Sequence, residues 1–292
     1  MEVATKVVVI KMQKKTLIQN HSQRSKQRYF AELPLNKPLI MGILNVTPDS
    51  FTDGGKFLDP LKAVRHAEKL VDEGADIIDI GGESTRPGAS SVDLAEECRR
   101  ILPVIKDVVK LGTVVSIDTQ KSGVMRRAID LGVSIINDVS ALEGSDSRKV
   151  ISDSGVSVVL MHKRGDPSSM MNNIKYDNII NDLMMYFSKR IENCLKVGIA
   201  RHQIAIDPGF GFGKSRDQNL LIINNLRQFR AHDCPILVGL SRKFGKHKGA
   251  LERLPESLAV AVNSVINGAN IVRVHDVAAT KDALAAIRYD HL

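Results

Sequence analysis

The residues of this chain that could do chemistry recur in one kind of place, just after a short apolar run. Asn45, Asp118, Asn137, His162, Asp207, Lys243, Arg273 and His275 all stand there. A single Asn or Asp in such a position is commonly a helix cap or a turn former. Lys, Arg and His cap poorly, so the series as a whole asks for another reason. Asp118, Asp207 and Asn137 suit a flat heterocycle with a donor-rich edge, because a carboxylate pairs bidentately with an N–C–N array such as a 2-aminopyrimidinone. Lys243, Arg273 and His275 offer positive charge to an anion such as a diphosphate. The chain has no Ser-His-Asp set, no HExxH and no evident Cys nucleophile. That pattern points to catalysis by positioning and charge stabilisation rather than through a covalent intermediate.

One stretch, Ile204-Ala-Ile-Asp-Pro-Gly-Phe-Gly-Phe-Gly-Lys214, looks at first like a phosphate cradle. A P-loop needs Gly-x4-Gly-Lys-Ser/Thr, whereas these glycines alternate one by one. Pro208 stops the preceding β-branched run. Asp207 therefore reads as the end of a buried strand, and the glycines as backbone that passes close to whatever is bound.

The elements that must carry these residues repeat. Apolar runs at 39–44, 76–80, 114–117, 133–136, 156–161, 204–206, 236–240 and 271–274 read as buried strands, each followed by a helical segment. Pro60 to Gly74 has helical spacing, with Leu61, Val64, Ala67, Leu70 and Val71 on one face and Gly74 past the end. Eight βα repeats in about 250 residues predict a single (β/α)8 barrel with its site at the C-terminal strand ends. A doubly wound sheet is the competing architecture, but no Gly-x-Gly-x-x-Gly turn follows the first strand. Residues 1–37 read as a basic, partly disordered N-terminal extension and 38–292 as the barrel.

Composition narrows the partners. The 292 residues are 43% hydrophobic and 25% charged, as expected of a globular chain with a sizeable core. A formal charge of +8 fits nucleic acid or a small anionic substrate equally well. Only 4% of residues are aromatic and none is Trp, which leaves little for base stacking. An RNA-binding barrel protein would rest on the net charge and the arm at 1–37 alone. Cys98, Cys194 and Cys234 form neither a disulfide framework nor a zinc pattern, and a reducing cytoplasm is the simplest location. No apolar run is long enough for a membrane span. His21, His66, His202, His232 and His247 have no partner pattern and read as surface residues. Asp79 reads as structural.

Seven segments, in order, carry a resemblance: 41–51 (MGILNVTPDSF), 81–88 (GGESTRPG), 116–119 (SIDT), 136–138 (IND), 207–214 (DPGFGFGK), 241–243 (SRK) and 272–276 (VRVHD). Together they resemble the dihydropteroate synthase family, from about Leu39 to the C-terminus, which by resemblance makes 38–292 a pterin-binding barrel. The resemblance implies an enzyme of folate biosynthesis, a homodimer, that joins 6-hydroxymethyl-7,8-dihydropterin diphosphate to 4-aminobenzoate and releases pyrophosphate. It implies that Asp118, Asn137, Asp207 and Lys243 hold the pterin, with Met161 packed on it. Arg273, His275 and Thr85 then grip the diphosphate, Asn45 helps to hold Mg2+, and Arg273, His275 and Lys243 carry the catalytic charge. Phe51, Arg86, Pro87, Phe212 and Ser241 shape the aminobenzoate pocket, and sulfonamides inhibit. A pterin-binding methyltransferase would share the Asp and Asn strand ends but lack 84–87 (STRP), 241–243 (SRK) and the Arg-x-His of strand 8. This chain departs from the family pattern at Lys163-Arg164, which puts extra charge on the fifth strand's loop.

Overall fold

The structure, a computed structural model, describes residues 28–47, 59–84, 91–165, 175–243, 249 and 251–288. A short antiparallel hairpin, β1 (Tyr29–Phe30) and β2 (Leu33–Pro34), precedes eight parallel strands. These are β3 (Leu39–Asn45), β4 (Ile77–Gly81), β5 (Val114–Asp118), β6 (Ile135–Asp138), β7 (Ser157–Met161), β8 (Ile204–Asp207), β9 (Leu237–Val238) and β10 (Ile271–Val274). They pair in sequence order from β3 to β8, and β10 lies between β3 and β9. A parallel bridge between Ile206 and Ile236 joins β8 to the β9 segment and completes the ring. The expected α/β barrel is the fold found.

Eight α-helices among the described residues cover the outside: α1 (Pro60–Asp72), α2 (Leu94–Val108), α3 (Ser122–Asp130), α4 (Ser145–Ser154), α5 (Ile179–Lys196), α6 (Arg216–Asn224), α7 (Leu254–Ile266) and α8 (Val277–Ala285). Four of their starts are capped by a side chain. The Asp93 carboxylate accepts from the Glu96 N–H at 2.8 Å, and Ser215 and Gln218 form a reciprocal capping box at α6. The buried face of α1 is Ala63, Ala67 and Leu70, while Leu61 is exposed, contrary to its expected inward place. At 3.6 residues per turn Leu61 lies roughly 180–240° around the helix from Ala63, Ala67 and Leu70, on the solvent face. Gly74, at φ +102°, ends the helix as its sequence position predicts.

Two apolar layers form. The larger lies between helices and strands. The smaller fills the barrel itself with Leu39, Met41, Ile77, Ile135, Val159, Ala205, Leu237 and Ile271, closed from below by Phe30 and Leu35 of the hairpin region. Residues 28–37, within the stretch read as an extension, are thus packed as the plug of the barrel floor. Fully burying each large apolar side chain contributes roughly 1.5–3 kcal/mol, and together they shut water out from beneath the mouth.

Candidate active site

Side chains alternate along a strand, so the filled interior layer fixes what points inward above it. Counting upward by twos from Leu39, Ile77, Ile135, Val159, Ala205 and Ile271 gives Asn45, Asp79, Asn137, Met161, Asp207, Arg273 and His275. The register agrees, because Asp118 stands opposite Asn137 and Gly81, and Met161 opposite Asp207. The inward set is therefore one polar tier standing on an apolar floor. Gly81 and Gly239 keep it open. A Cβ at Gly81 would lie 3.6 Å from Asp118 Cβ and 3.9 Å from Asn45 Oδ1, and one at Gly239 would lie 3.9 Å from Asp207 Oδ2.

At the centre of the tier, Arg273 Nε donates to Asp79 Oδ2 at 2.5 Å and its Nη2 to Asp118 Oδ2 at 2.8 Å. Asn137 Nδ2 donates to the same Asp79 oxygen at 3.1 Å. Asp79 is wholly buried and sets the orientation of both the arginine and the amide. The other oxygen of Asp118, Oδ1, is buried with no hydrogen-bond partner among the described residues. Burial pushes the Asp118 carboxyl up to about 7, opposed by Arg273 and reinforced by Asp79. A donor brought to that oxygen would favour the charged form.

Asp207 closes the opposite side. Its Oδ1 accepts from the Gly209 N–H at 2.7 Å. Burial raises its pKa, while that hydrogen bond, Lys243, Lys214 and Arg273 pull it back. Lys243 lines the mouth, where Nζ donates to the Phe210 carbonyl at 2.7 Å and sits 4.6 Å from the centre of the Phe212 ring. Its side chain is exposed by area yet ringed by protein, and that crowding lowers it to about 8, with Asp207 opposing and Arg273 assisting the fall. The glycines have a different use from the one expected. Gly209, Gly211 and Gly213 all have positive φ, and a Cβ on Gly209 would fall 1.9 Å from the His162 carbonyl oxygen. The close approach is to the chain itself. Lys214, which first suggested a phosphate loop, is 1% exposed and faces the protein.

Ser241 Oγ accepts from the His275 N–H at 3.2 Å and lies 3.0 Å from its Nδ1, which fixes the imidazole at the rim. Arg242, at φ +60°, is held by Asp276 at 2.8 Å. Lys121 bridges Glu83 and the buried Glu97, and Glu83 also accepts from the Val92 N–H at 3.1 Å. Burial works against the Lys121 charge, but the two glutamates more than offset it and raise its pKa. This network ties Glu83 to Val92 on the far side of residues 84–91. Of the residues expected at the site, Asn45, Asp118, Asn137, Met161, Asp207, Ser241, Lys243, Arg273 and His275 gather at the mouth, with Phe212 beside Lys243. Phe51, Thr85, Arg86 and Pro87 lie outside the described residues, as do His21 and His247.

Comparison with known proteins settles the relationship. Residues 41–275 match the family described as "Pterin binding enzyme". Dihydropteroate synthase of Escherichia coli strain K12 is 42% identical over 260 residues, which span 87% of this chain and 92% of that protein. The chain belongs to the dihydropteroate synthase family. It is thereby an enzyme of folate biosynthesis, a transferase. Solved relatives superpose closely. The Yersinia pestis enzyme in a sulfonamide drug complex has a TM-score of 0.82 at 39% identity, covering 87% of this chain and 94% of that one. The Xanthomonas albilineans enzyme with 4-aminobenzoic acid gives 0.82 at 41%, covering 88% and 96%.

Two groups escaped sequence reasoning. Asp79 is structural, as expected, but its structure is the site's own, since it holds Arg273 and Asn137. The available signal was its strand parity with Asn45 and Asn137. His232 is buried, not a surface residue. It ends a 3-10 segment, Leu226–His232, and packs edge-on to Phe187 with ring centroids 6.1 Å apart.

Proposed function

We propose that this chain joins 6-hydroxymethyl-7,8-dihydropterin diphosphate to 4-aminobenzoate, forming 7,8-dihydropteroate and pyrophosphate. The observation that carries the reading is the buried, unpartnered Oδ1 of Asp118, facing a mouth lined by Asn137, Asp207 and Lys243. A buried carboxylate oxygen without a partner calls for a donor, and the N–H groups of a pterin edge supply one. Asp118, Asn137 and Asp207 take the pterin edge and Met161 packs on its face. Arg273 has N–H groups beyond the two committed to Asp79 and Asp118, and with His275 and Thr85 it takes the diphosphate. Phe51, Arg86, Pro87, Phe212 and Ser241 shape the aminobenzoate pocket.

The arylamine is uncharged near neutral pH and already nucleophilic. The barrier lies in breaking the bond between the pterin methylene and the diphosphate oxygen, where negative charge collects on the leaving group. Arg273, His275 and Lys243 would stabilise that charge. The amine nitrogen's lone pair then forms the new C–N bond, the C–O pair departs with pyrophosphate, and the amine proton is lost to solvent. We infer a dissociative order, with bond loosening ahead of amine attack.

Mg2+ fits this donor set as a substrate-borne ion. Among the described residues no group of three or more His, Cys, Asp or Glu converges on a metal position. Asn45 offers one amide oxygen beside the space over Gly81, and Mg2+ characteristically keeps waters and binds through few protein ligands plus substrate phosphates. When bound, it would neutralise charge on the leaving group. Three buried free cysteines support a reducing, cytoplasmic location, and no described helix is long and apolar enough to cross a membrane. The family relationship supports a homodimer.

The test is pyrophosphate release from the two substrates with Mg2+, in the presence and absence of a sulfonamide. Release that a sulfonamide suppresses competitively with 4-aminobenzoate is expected. No release would overturn the reaction, and non-competitive suppression would overturn the pocket.

A further inference from the structure

Lys214 is a lysine in the wall of the barrel mouth with no outlet to solvent. Its Nζ donates to the carbonyls of Gly209 at 2.9 Å, Phe212 at 3.1 Å and His162 at 3.2 Å, and lies 2.9 Å from His162 Nδ1. These acceptors come from two segments, the 208–213 turn and the end of β7. A buried ammonium is costly, and an apolar side chain could fill the same space without that cost. What an apolar side chain could not do is tie three carbonyls together and carry a positive charge that the Asp207 carboxylate feels.

We propose that Lys214 is a positioning residue of the pterin site, which fixes the 208–213 turn to the end of β7 and keeps the Asp207 carboxylate charged to receive the pterin's N–H groups. The inference rests on the pterin reading of Asp207 given above.

The charges around Asp207 support it. Lys243, Lys214 and Arg273 all oppose the rise that burial imposes on the carboxyl. Arg273 is shared with Asp79 and Asp118, and Lys243 also feels Asp118. On β7, His162 is held down to about 3 by burial and then by Lys214, so it is neutral and adds no charge. Tyr176, whose hydroxyl donates to the Gly213 carbonyl at 3.0 Å, is raised by burial and is neutral as well. Burial lowers Lys214 itself to about 7 against the pull of Asp207. It is therefore protonated in the acid range, where Asp207 would otherwise take up a proton.

The experiment measures kcat/KM for pterin diphosphate against pH in wild type and in Lys214→Met, Lys214→Gln and Lys214→Arg. Gln keeps two N–H donors for the carbonyls and serves if the Met variant does not fold. The acid limb is expected to move up by about one pH unit in the neutral variants, with KM for the pterin rising up to roughly tenfold on that limb and kcat changing less. The Arg variant should keep the wild-type limb. Asp118 titrates in every variant, so the difference between variants isolates Asp207. A folded Gln variant with an unmoved limb would overturn the proposal, as would an Arg variant displaced as far as Gln. Wild type that releases no pyrophosphate fails the underlying reading instead, before any variant is compared.

Discussion

Asp118→Asn separates what the barrel mouth needs for stability from what it needs for binding. Asp118 is 8% exposed, and burial, against the pull of Arg273, holds its carboxyl at about 7. In the unfolded chain an aspartate titrates near about 4. Between these values the folded state binds more protons than the unfolded one. Asp118's contribution is therefore fully present below about pH 4, is lost as pH rises towards about 7, and is flat beyond. The gap corresponds to roughly 4 kcal/mol in full. Relaxation and water entry at the open mouth recover part of such a penalty, so about 2 kcal/mol is the working figure. Asparagine has the same shape and never carries the charge. The variant should melt above wild type at pH 8 by roughly 4 °C, and by much less at pH 5, where the native carboxyl is protonated.

The same substitution should damage binding. An asparagine presents one acceptor and one N–H2 group where the pterin edge needs a carboxylate, so pterin affinity is expected to fall by about 1.5–3 kcal/mol. Thermal unfolding of ligand-free protein at the two pH values, with calorimetry of pterin binding at pH 8, measures both effects. A variant that melts below wild type at pH 8 would refute the reasoning. So would an equal margin at both pH values, which would mean that charge burial is not the source.

Two further outcomes follow from single contacts. Gly209→Ala puts a methyl group 1.9 Å from the His162 carbonyl oxygen at φ +69° and should cost about 3 kcal/mol or more in a urea titration. A loss under about 1 kcal/mol would show that the turn is looser than its geometry implies. Lys243, lowered to about 8, is charged below that pH and neutral above it, so wild-type kcat/KM for the pterin diphosphate should fall as pH rises through 8. Lys243→Met should be less active at neutral pH and lack that alkaline limb, and persistence of the limb would assign it to another group.

The barrel was legible because its strands are buried on both faces. Continuous apolar runs such as Ile77-Ile78 and Val158-Val159-Leu160 end abruptly in polar residues, and those ends are the mouth. Hence Asp118, Asn137, Asp207 and Arg273 could be found from the sequence. Asp79 could be placed on its strand but not in its role, because only the register of a closed ring tells which neighbours an inward carboxylate meets. Lys214 misled for a related reason. Glycines followed by a lysine imply the same loop flexibility whether the lysine points out to a phosphate or in to carbonyls. The carbonyl of His162, 52 residues earlier, decides between them. The link between Glu83 and Val92 shows the same limit. Its anchor, Lys121 between Glu83 and Glu97, joins three segments that no local pattern connects.

The apolar floor explains why the polar tier behaves as it does. Phe30 and Leu35 seal the barrel from below, so the charged groups above it have solvent on one side only. Burial accordingly pushes Asp118 and Asp207 towards the protonated form and Lys214 and Lys243 towards the neutral one. At Asp118, Asp207 and Lys243 burial opposes the charge that binding requires, and a ligand of one particular design would reverse it there. That ligand must bring N–H donors to the carboxylates and negative charge to the cations at the rim. A pterin without its diphosphate would meet the first requirement and leave Lys243, Arg273 and His275 without their anion. Free diphosphate would do the opposite, and would draw Arg273 away from the carboxylates that orient it. For the reaction proposed above, only the joined molecule satisfies both halves, and Arg273 would couple recognition of the pterin edge to activation of its leaving group.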